Sequence, residues 1–151
     1  MVCGVKLTKS FYTSLLDKSA WLLSDHINIY LNTILKKSQR KIHLVDNVWF
    51  VKSLFKNNNL QQLCWLINEV ESQVYWFDKD IIVIPINENN THWTLAIVLV
   101  KEETIIYSNS YGDNANTQYT DTSSCGVYVC AVSYAVIFQS SLPYEPNLAG
   151  F

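Results

Sequence analysis

Glycine and proline are scarce in this sequence, which has 4 glycines and 3 prolines among 151 residues. This scarcity excludes collagen-like chains and the disordered chains that are rich in both residues. Charge is also sparse, since charged residues make up 16% of the chain and the net charge is -2. Without a basic excess there is no electrostatic footprint for a phosphate backbone, so we expect no nucleic-acid partner.

Long apolar runs are missing as well. No stretch approaches the length needed to cross a bilayer, and the first residues lack the apolar core of a signal peptide. We therefore expect an intracellular protein of the cytoplasm or nucleus, with no membrane partner and with its 4 cysteines as thiols. Metal-ligand spacings such as Cys-x-x-Cys and His-x-x-x-His do not occur, so the sequence indicates no metal site.

The length and the 49% apolar share fit a single domain, residues 1–151, around one core. Apolar residues at helical spacing predict a helix after Leu22-Leu23, capped by Ser24 or Asp25. Two further helix-like stretches follow in the first half of the chain. The first carries Val48, Val51, Leu54 and Phe55, and the second carries Leu60, Leu63, Cys64, Ile67 and Val70.

Strand patterns occur in one short stretch of the first half and dominate the second half after Gln73. A short strand is predicted through Ile42–Val45, and three more, joined by short polar turns and hence antiparallel, at Ile81–Ile86, Trp93–Val100 and Thr104–Tyr107. Residues 112–124 have the composition of a loop. Cys125, Val129, Val132 and Val136 then lie on one face of a helix, Cys125–Phe138, with Ser123 or Ser124 as N-cap.

Cys125 is the candidate nucleophile, because a thiol in the first turn of a helix faces unpaired backbone amides and the positive end of the dipole. Most free cysteines in folded proteins are small buried apolar residues without a chemical role, and we interpret Cys64 and Cys130 in this way. His92 is the candidate base, since it stands where a polar turn meets a strand. Asn109 offers an amide oxygen that can fix the imidazole tautomer, and Gln118 offers an N–H to an oxyanion, although both are also ordinary loop residues.

The order of these residues resembles the Ulp1-like (SUMO- and NEDD8-deconjugating) cysteine protease family, in which the catalytic order is His, Asp, Cys. The resemblance covers nearly the whole chain. The residues that carry it are Leu7-Thr8 to Leu16, Trp21-Leu22-Leu23-Ser24-Asp25, Trp76, Ile84-Pro85-Ile86, His92-Trp93, Ile106-Tyr107-Ser108-Asn109-Ser110 and Cys125-Gly126-Val127-Tyr128-Val129-Cys130.

The resemblance implies an α+β papain-like fold in which a small antiparallel sheet packs against helices. It implies catalysis by His92, Asn109 and Cys125, with Asn109 at the usual Asp position and Gln118 at the oxyanion. Substrate-binding residues would be Trp21, Asp25 and Trp93, with the two tryptophans walling a narrow slot that only Gly-Gly can pass. No cofactor is needed.

The implied function is cleavage after the Gly-Gly tail of a ubiquitin-like modifier such as SUMO, NEDD8 or ubiquitin. A second interpretation is a degenerate relative that binds a modifier without processing it. The uncharged Asn109, the short segment before Cys125 and Gln118 at seven residues before the cysteine instead of six favour that interpretation. A third is acyl transfer from the same thioester to an amine.

Overall fold

Helices and one sheet of 5 strands make up the part of the chain that this computed structural model describes, namely residues 2, 5–45, 76–88, 90–111, 123–140 and 149–150. The helical elements are α1 (Lys9–Leu16), α2 (Ser24–Leu35), a short 3-10 helix (Trp76–Asp78) and α3 (Cys125–Phe138). The strands are β1 (Ile42–Leu44), β2 (Ile81–Glu88), β3 (His92–Leu99), β4 (Thr104–Asn109) and β5 (Ala149–Gly150). Both helix-like stretches predicted between Val48 and Val70 lie outside the described residues.

The sheet has the strand order β1-β2-β3-β4-β5. Strands β2, β3 and β4 form the predicted antiparallel meander. The sheet as a whole is mixed, however, because β1 pairs with β2 in parallel, with Ile42 opposite Ile81. Helix α1, with 8 residues, and β5, with 2 residues, were not predicted. The predicted α+β fold class is confirmed.

Both faces of the sheet are apolar, which explains the nearly continuous apolar sequence of its central strands. On one face Trp93, Leu95 and Ile97 of β3 join the main core with residues of α2 and α3. On the other face Ile82 and Ile84 form a smaller cluster with Val45. Helix α3 thus packs on the face that carries Trp93.

The N-terminus of α2 is capped in a way that the sequence analysis did not predict. Neither Ser24 nor Asp25 is the N-cap, because the helix begins at Ser24 and the N-cap position falls on Leu23. The ring of His26 reaches back instead, and its Nδ1 accepts the Leu23 backbone N–H at 3.0 Å. Its Nε2–H donates to the Phe11 carbonyl at 3.1 Å, which ties α1 to α2. The prediction was wrong because it considered only oxygen-bearing caps.

Helix α3 has the predicted bounds, Cys125–Phe138, and it is buried on most of its circumference. Ser124 holds the N-cap position, but its side chain makes no cap hydrogen bond to the helix. Gln139 ends the helix in the left-handed region at a φ of 51°. Within the described residues, no helix has the combined length and apolarity that a membrane span requires.

Replacing the His26 ring should destabilise the fold. In His26→Leu the Leu23 N–H loses its acceptor in a half-buried setting, and the Phe11 carbonyl loses the link to α2 and keeps only the Ser14 hydroxyl as a side-chain donor. We therefore expect the free energy of unfolding to fall by roughly 2 kcal/mol. Exposed Asp25 lies in the same helical turn and is the matched control: Asp25→Asn should cost no more than about 0.5 kcal/mol. Urea unfolding followed by circular dichroism measures both, and equal losses would contradict the capping role of His26.

Candidate active site

His92 and Asn109 meet at one end of the sheet, where β3 begins and β4 ends. Asn109 lies opposite Thr94 in the β3–β4 register, and alternation along β3 places His92 on the same face as Thr94. The imidazole Nε2 lies 2.8 Å from the Asn109 Oδ1. Two side chains separated along the chain are therefore joined by the antiparallel pairing of their strands.

This hydrogen bond determines the tautomer of His92. An amide oxygen only accepts, so Nε2 carries the hydrogen and Nδ1 of the neutral ring is unprotonated. The same Asn109 Oδ1 also accepts the backbone N–H of Tyr111 at 3.0 Å, which holds the amide in this orientation. The His92 Nδ1 is buried and has no hydrogen-bond partner among the described residues. The ring thus offers a basic nitrogen on the side away from Asn109.

Tyr111 is a site residue that the sequence analysis missed. Its ring stacks on the His92 imidazole with centroids 4.2 Å apart and planes inclined at 21°. It is 39% exposed, so it covers the imidazole from the solvent side. Its position just past the end of β4 was the only signal in the sequence, and Gly112 beside it had marked the region as a turn.

Glu88 is a second group that the sequence analysis did not single out. It is the last residue of β2 and lies directly opposite His92 in the β2–β3 register. Its Oε1 accepts the Thr94 hydroxyl at 3.1 Å and the Tyr107 hydroxyl at 3.4 Å. A carboxylate therefore stands on the same face and at the same end of the sheet as His92 and Asn109.

Cys125 is the first residue of α3 and 3% exposed, and it belongs to the core cluster that contains Trp93. Two bridges hold this end of the helix at the end of the sheet. In the first, Trp93 Nε1–H donates to the Leu22 carbonyl at 2.9 Å, and the Leu22 side chain packs on Gly126. In the second, the Ser108 hydroxyl donates to the Tyr128 Oη at 3.0 Å.

Each bridge joins a neighbour of one candidate residue to a neighbour of another. Trp93 follows His92 and is linked through Leu22 to the residue after Cys125, while Ser108 precedes Asn109 and is bonded to the first turn of α3. The first helical turn and the His92–Asn109 pair are consequently held at the same end of the molecule. Such a thiol, basic nitrogen and orienting amide are the parts of a nucleophilic site.

The residues predicted to bind substrate differ in how much of their surface is exposed. Trp93 is 1% exposed, so its ring has almost no surface to offer a substrate and serves the core and the Leu22 hydrogen bond. Trp21 is half-buried in the segment before α2, and Asp25 is exposed in the first turn of that helix. Gln118 lies outside the described residues.

The two described cysteines of α3 are both buried in the main core, at 3% exposed for Cys125 and 8% for Cys130, but they occupy different positions in the helix. Cys130 lies one and a half turns into the helix, where burial raises the pKa of its thiol to about 12. Cys125 stands at the helix N-terminus, where backbone N–H groups and the dipole favour negative charge. Neither forms a disulfide.

Comparison with known proteins places the chain in a family. Residues 20–117 match the Ulp1 protease family, C-terminal catalytic domain, and the chain belongs to this family. The ubiquitin-like-specific protease ESD4 of Arabidopsis thaliana is 27% identical over a match of 149 residues, which covers 87% of this chain. The chain spans only 30% of the length of that relative.

Solved structures show the same fold. The SUMO protease Ulp1 with its catalytic cysteine oxidized to a sulfinic acid has a TM-score of 0.75 at 20% identity, covering 96% of this chain and 78% of that one. The Ulp1 protease domain in complex with Smt3, the yeast ortholog of SUMO, has a TM-score of 0.70 at 20% identity, and the match covers 91% of this chain and 75% of that one. The Xanthomonas campestris effector XopD bound to ubiquitin has a TM-score of 0.57 at 16% identity, and the match covers 87% of this chain and 88% of that one. The predicted Ulp1-like fold is confirmed.

A side chain at position 126 should disturb the junction of helix and sheet. A Cβ on Gly126 would lie 2.9 Å from the Leu22 Cβ, and neither atom is the end of a flexible chain. Overpacking of this kind costs roughly 1–3 kcal/mol, which exceeds the gain of about 1 kcal/mol from helix propensity. Gly126→Ala should therefore unfold at lower urea concentration than wild type, and a more stable variant would contradict the close packing on Leu22.

The two thiols of α3 should react at different rates. At pH 8 we expect iodoacetamide to modify Cys125 at least about tenfold faster than Cys130, because burial raises the pKa of the Cys130 thiol to about 12, whereas Cys125 lies in the first turn of α3 beside backbone N–H groups that have no partner within the helix. Peptide mapping by mass spectrometry after timed quenching measures each rate. Unfolding in urea should abolish the difference. Equal rates in the native protein would contradict a reactive Cys125.

Proposed function

We propose that this protein is a cysteine peptidase or isopeptidase that cleaves after the Gly-Gly tail of a ubiquitin-like modifier. The observation that supports it most directly is the hydrogen-bonded His92–Asn109 pair at the sheet end to which two bridges hold the first turn of α3. The named relatives support the substrate class, since they include a ubiquitin-like-specific protease and structures in complex with Smt3 and with ubiquitin. SUMO, NEDD8 and ubiquitin are the candidate modifiers.

The proposed reaction has two stages and needs no cofactor. The Cys125 sulfur attacks the carbonyl carbon of the terminal glycine while His92 Nδ1 takes the thiol proton and then delivers it to the leaving amine. The product is a thioester between Cys125 and the modifier. Water attacks this thioester, His92 accepts a proton from the water and returns it to the Cys125 sulfur, and the modifier leaves with a free carboxylate.

The role proposed for Asn109 is orientation without charge. Its Oδ1 keeps the hydrogen on Nε2, which leaves Nδ1 unprotonated and able to accept the proton of the thiol in the proposed reaction. An aspartate there would also stabilise the imidazolium that forms after proton transfer, whereas a neutral amide supplies only a dipole. We therefore expect slower catalysis than in a variant with Asp at this position.

For the substrate we propose an approach past Trp21. That residue is half-buried next to Leu22, which contacts the first turn of α3. Since Trp93 is buried, its proposed contribution is to fix this segment through the Leu22 carbonyl. Asp25, exposed on α2, is available to the body of the modifier. For the oxyanion we propose the helix N-terminus together with Gln118.

A second candidate function is binding of a modifier without processing. Two observations favour it: the orienting residue is the uncharged Asn109, and Cys125 is only 3% exposed. Both candidates predict a complex with a modifier. They differ in whether a bond forms to the Cys125 sulfur.

The test uses SUMO, NEDD8 and ubiquitin that each carry a C-terminal propargylamide, an electrophile that captures an active thiol. Wild type should form an adduct of the combined mass with at least one of them, and peptide mapping should place the link at Cys125. Cys125→Ala and His92→Ala should form none, because the first lacks the nucleophile and the second lacks the base.

Cys130→Ala is the matched control, because it removes a thiol from the same helix and should label as wild type does. Binding to a modifier without an adduct would overturn the peptidase proposal and support the binding module. If an adduct forms, hydrolysis of a modifier–amide conjugate should release free modifier. Transfer to an added amine in its place would establish acyl transfer instead.

A further inference from the structure

We propose that Tyr111 is a positioning residue for His92 and that its ring favours the protonated imidazole, in place of the carboxylate charge that Asn109 lacks. This inference rests on the proposed function, because it assigns a supporting role in the same site. Tyr111 touches both members of the pair: its ring stacks on His92, and its backbone N–H donates to the Asn109 Oδ1.

The two contacts restrain different motions of the imidazole. A hydrogen bond from Nε2 fixes the direction of that nitrogen but leaves the ring free to rock about the line to Asn109. A nearly parallel ring at 4.2 Å prevents that rocking on one side. With both contacts present, Nδ1 has one direction, which is the requirement for proton transfer to and from a single sulfur.

The stack also has an electrostatic effect. The face of a phenol ring is the negative part of its quadrupole and attracts a cation that lies against it, so the interaction strengthens when the imidazole gains its proton. Other described groups at this end of the sheet are Glu88, opposite His92, and the neutral Asn109 and Thr94. Glu88 supplies a full negative charge from the neighbouring strand, and Tyr111 is the aromatic group stacked on the ring face that adds to the preference for the protonated state.

A purely structural role fits Tyr111 poorly. The side chain is 39% exposed, so it adds little to the core. Its hydroxyl has no hydrogen-bond partner among the described residues, so the ring face and the backbone N–H are what it contributes. Replacement of the side chain keeps the N–H donor to Asn109 and removes only the ring.

The experiment compares Tyr111→Leu, which removes the aromatic face, with Tyr111→Phe, which keeps it. For inactivation by the reactive modifier probe, Tyr111→Leu should lower kinact roughly three- to tenfold and leave KI unchanged. The ascending limb of its pH–rate profile should shift to higher pH, because a less protonated imidazole stabilises the Cys125 thiolate less. Tyr111→Phe should stay within about twofold of wild type on both measures.

A double-mutant cycle separates the electrostatic effect from simple support. In an Asn109→Asp background the carboxylate supplies the charge, so Tyr111→Leu should lower kinact by less than about twofold. Equal costs in both backgrounds would overturn the charge role of Tyr111. Unchanged kinact and pH profile in Tyr111→Leu would overturn the whole inference.

Alkylation of Cys125 by iodoacetamide provides the same comparison without any modifier. Tyr111→Leu should slow it by a similar factor and shift its pH profile in the same direction, with thermal unfolding as a check on stability. If the modifier probes label nothing while this difference persists, the proposed function fails and the role of Tyr111 stands. If the probes label wild type and Tyr111→Leu equally, the proposed function stands and the role of Tyr111 fails.

Discussion

The contact between Leu22 and Gly126 is the constraint on which the site depends. Helix α3 approaches the segment before α2 so closely that a Cβ on Gly126 would come within 2.9 Å of the Leu22 Cβ. The same Leu22 offers its carbonyl to the buried indole of Trp93. One residue thereby links the central strand of the sheet to the first turn of α3. Without it the Ser108–Tyr128 hydrogen bond would be the one described bridge left between the first turn of α3 and the end of the sheet.

The chemistry of the site follows from which groups accept and which donate. Asn109 accepts from both the His92 ring and the Tyr111 backbone, so its Oδ1 is saturated and its orientation is determined. The imidazole consequently holds its hydrogen on the side of Asn109 and its lone pair on the other. Negative charge comes from Glu88, which is held by two hydroxyls at the same sheet end. A charged orienting residue would place the negative charge at the Nε2 of His92. In this site that position holds the neutral Asn109, and the negative charge lies on Glu88 in the neighbouring strand.

Much of the fold was predictable because it depends on local pattern. The period of Cys125, Val129 and Val132 gave the correct bounds of α3, and the antiparallel pairing of β3 with β4 brought Asn109 to His92. What was missed depends on contacts between distant residues. The cap formed by His26 and the parallel pairing of β1 have no signature within their own segments, since each needs a partner elsewhere in the fold.

Site residues were predictable to the extent that their chemistry is unusual. A cysteine at a helix start and a histidine at a strand start are conspicuous, whereas a tyrosine in a turn is not, so Tyr111 was missed. For Trp93 the sequence could not separate packing from substrate contact, because an indole is suited to both. In this structure Trp93 is 1% exposed and packs in the core, and its contact with a substrate stays a prediction.

The sequence distances within the site imply an order of assembly. His92 and Asn109 are 17 residues apart in one meander and meet as soon as two neighbouring strands pair, whereas the indole of Trp93 and the Leu22 carbonyl are 71 residues apart. Closing the longer loop carries the larger entropic cost, so contacts of this kind form late. The histidine pair is then ready before the thiol has a place to meet it. In a partly folded or nascent chain the His92–Asn109 pair would therefore form before α3 is fixed against the sheet, so the candidate site is complete only when the whole domain has folded.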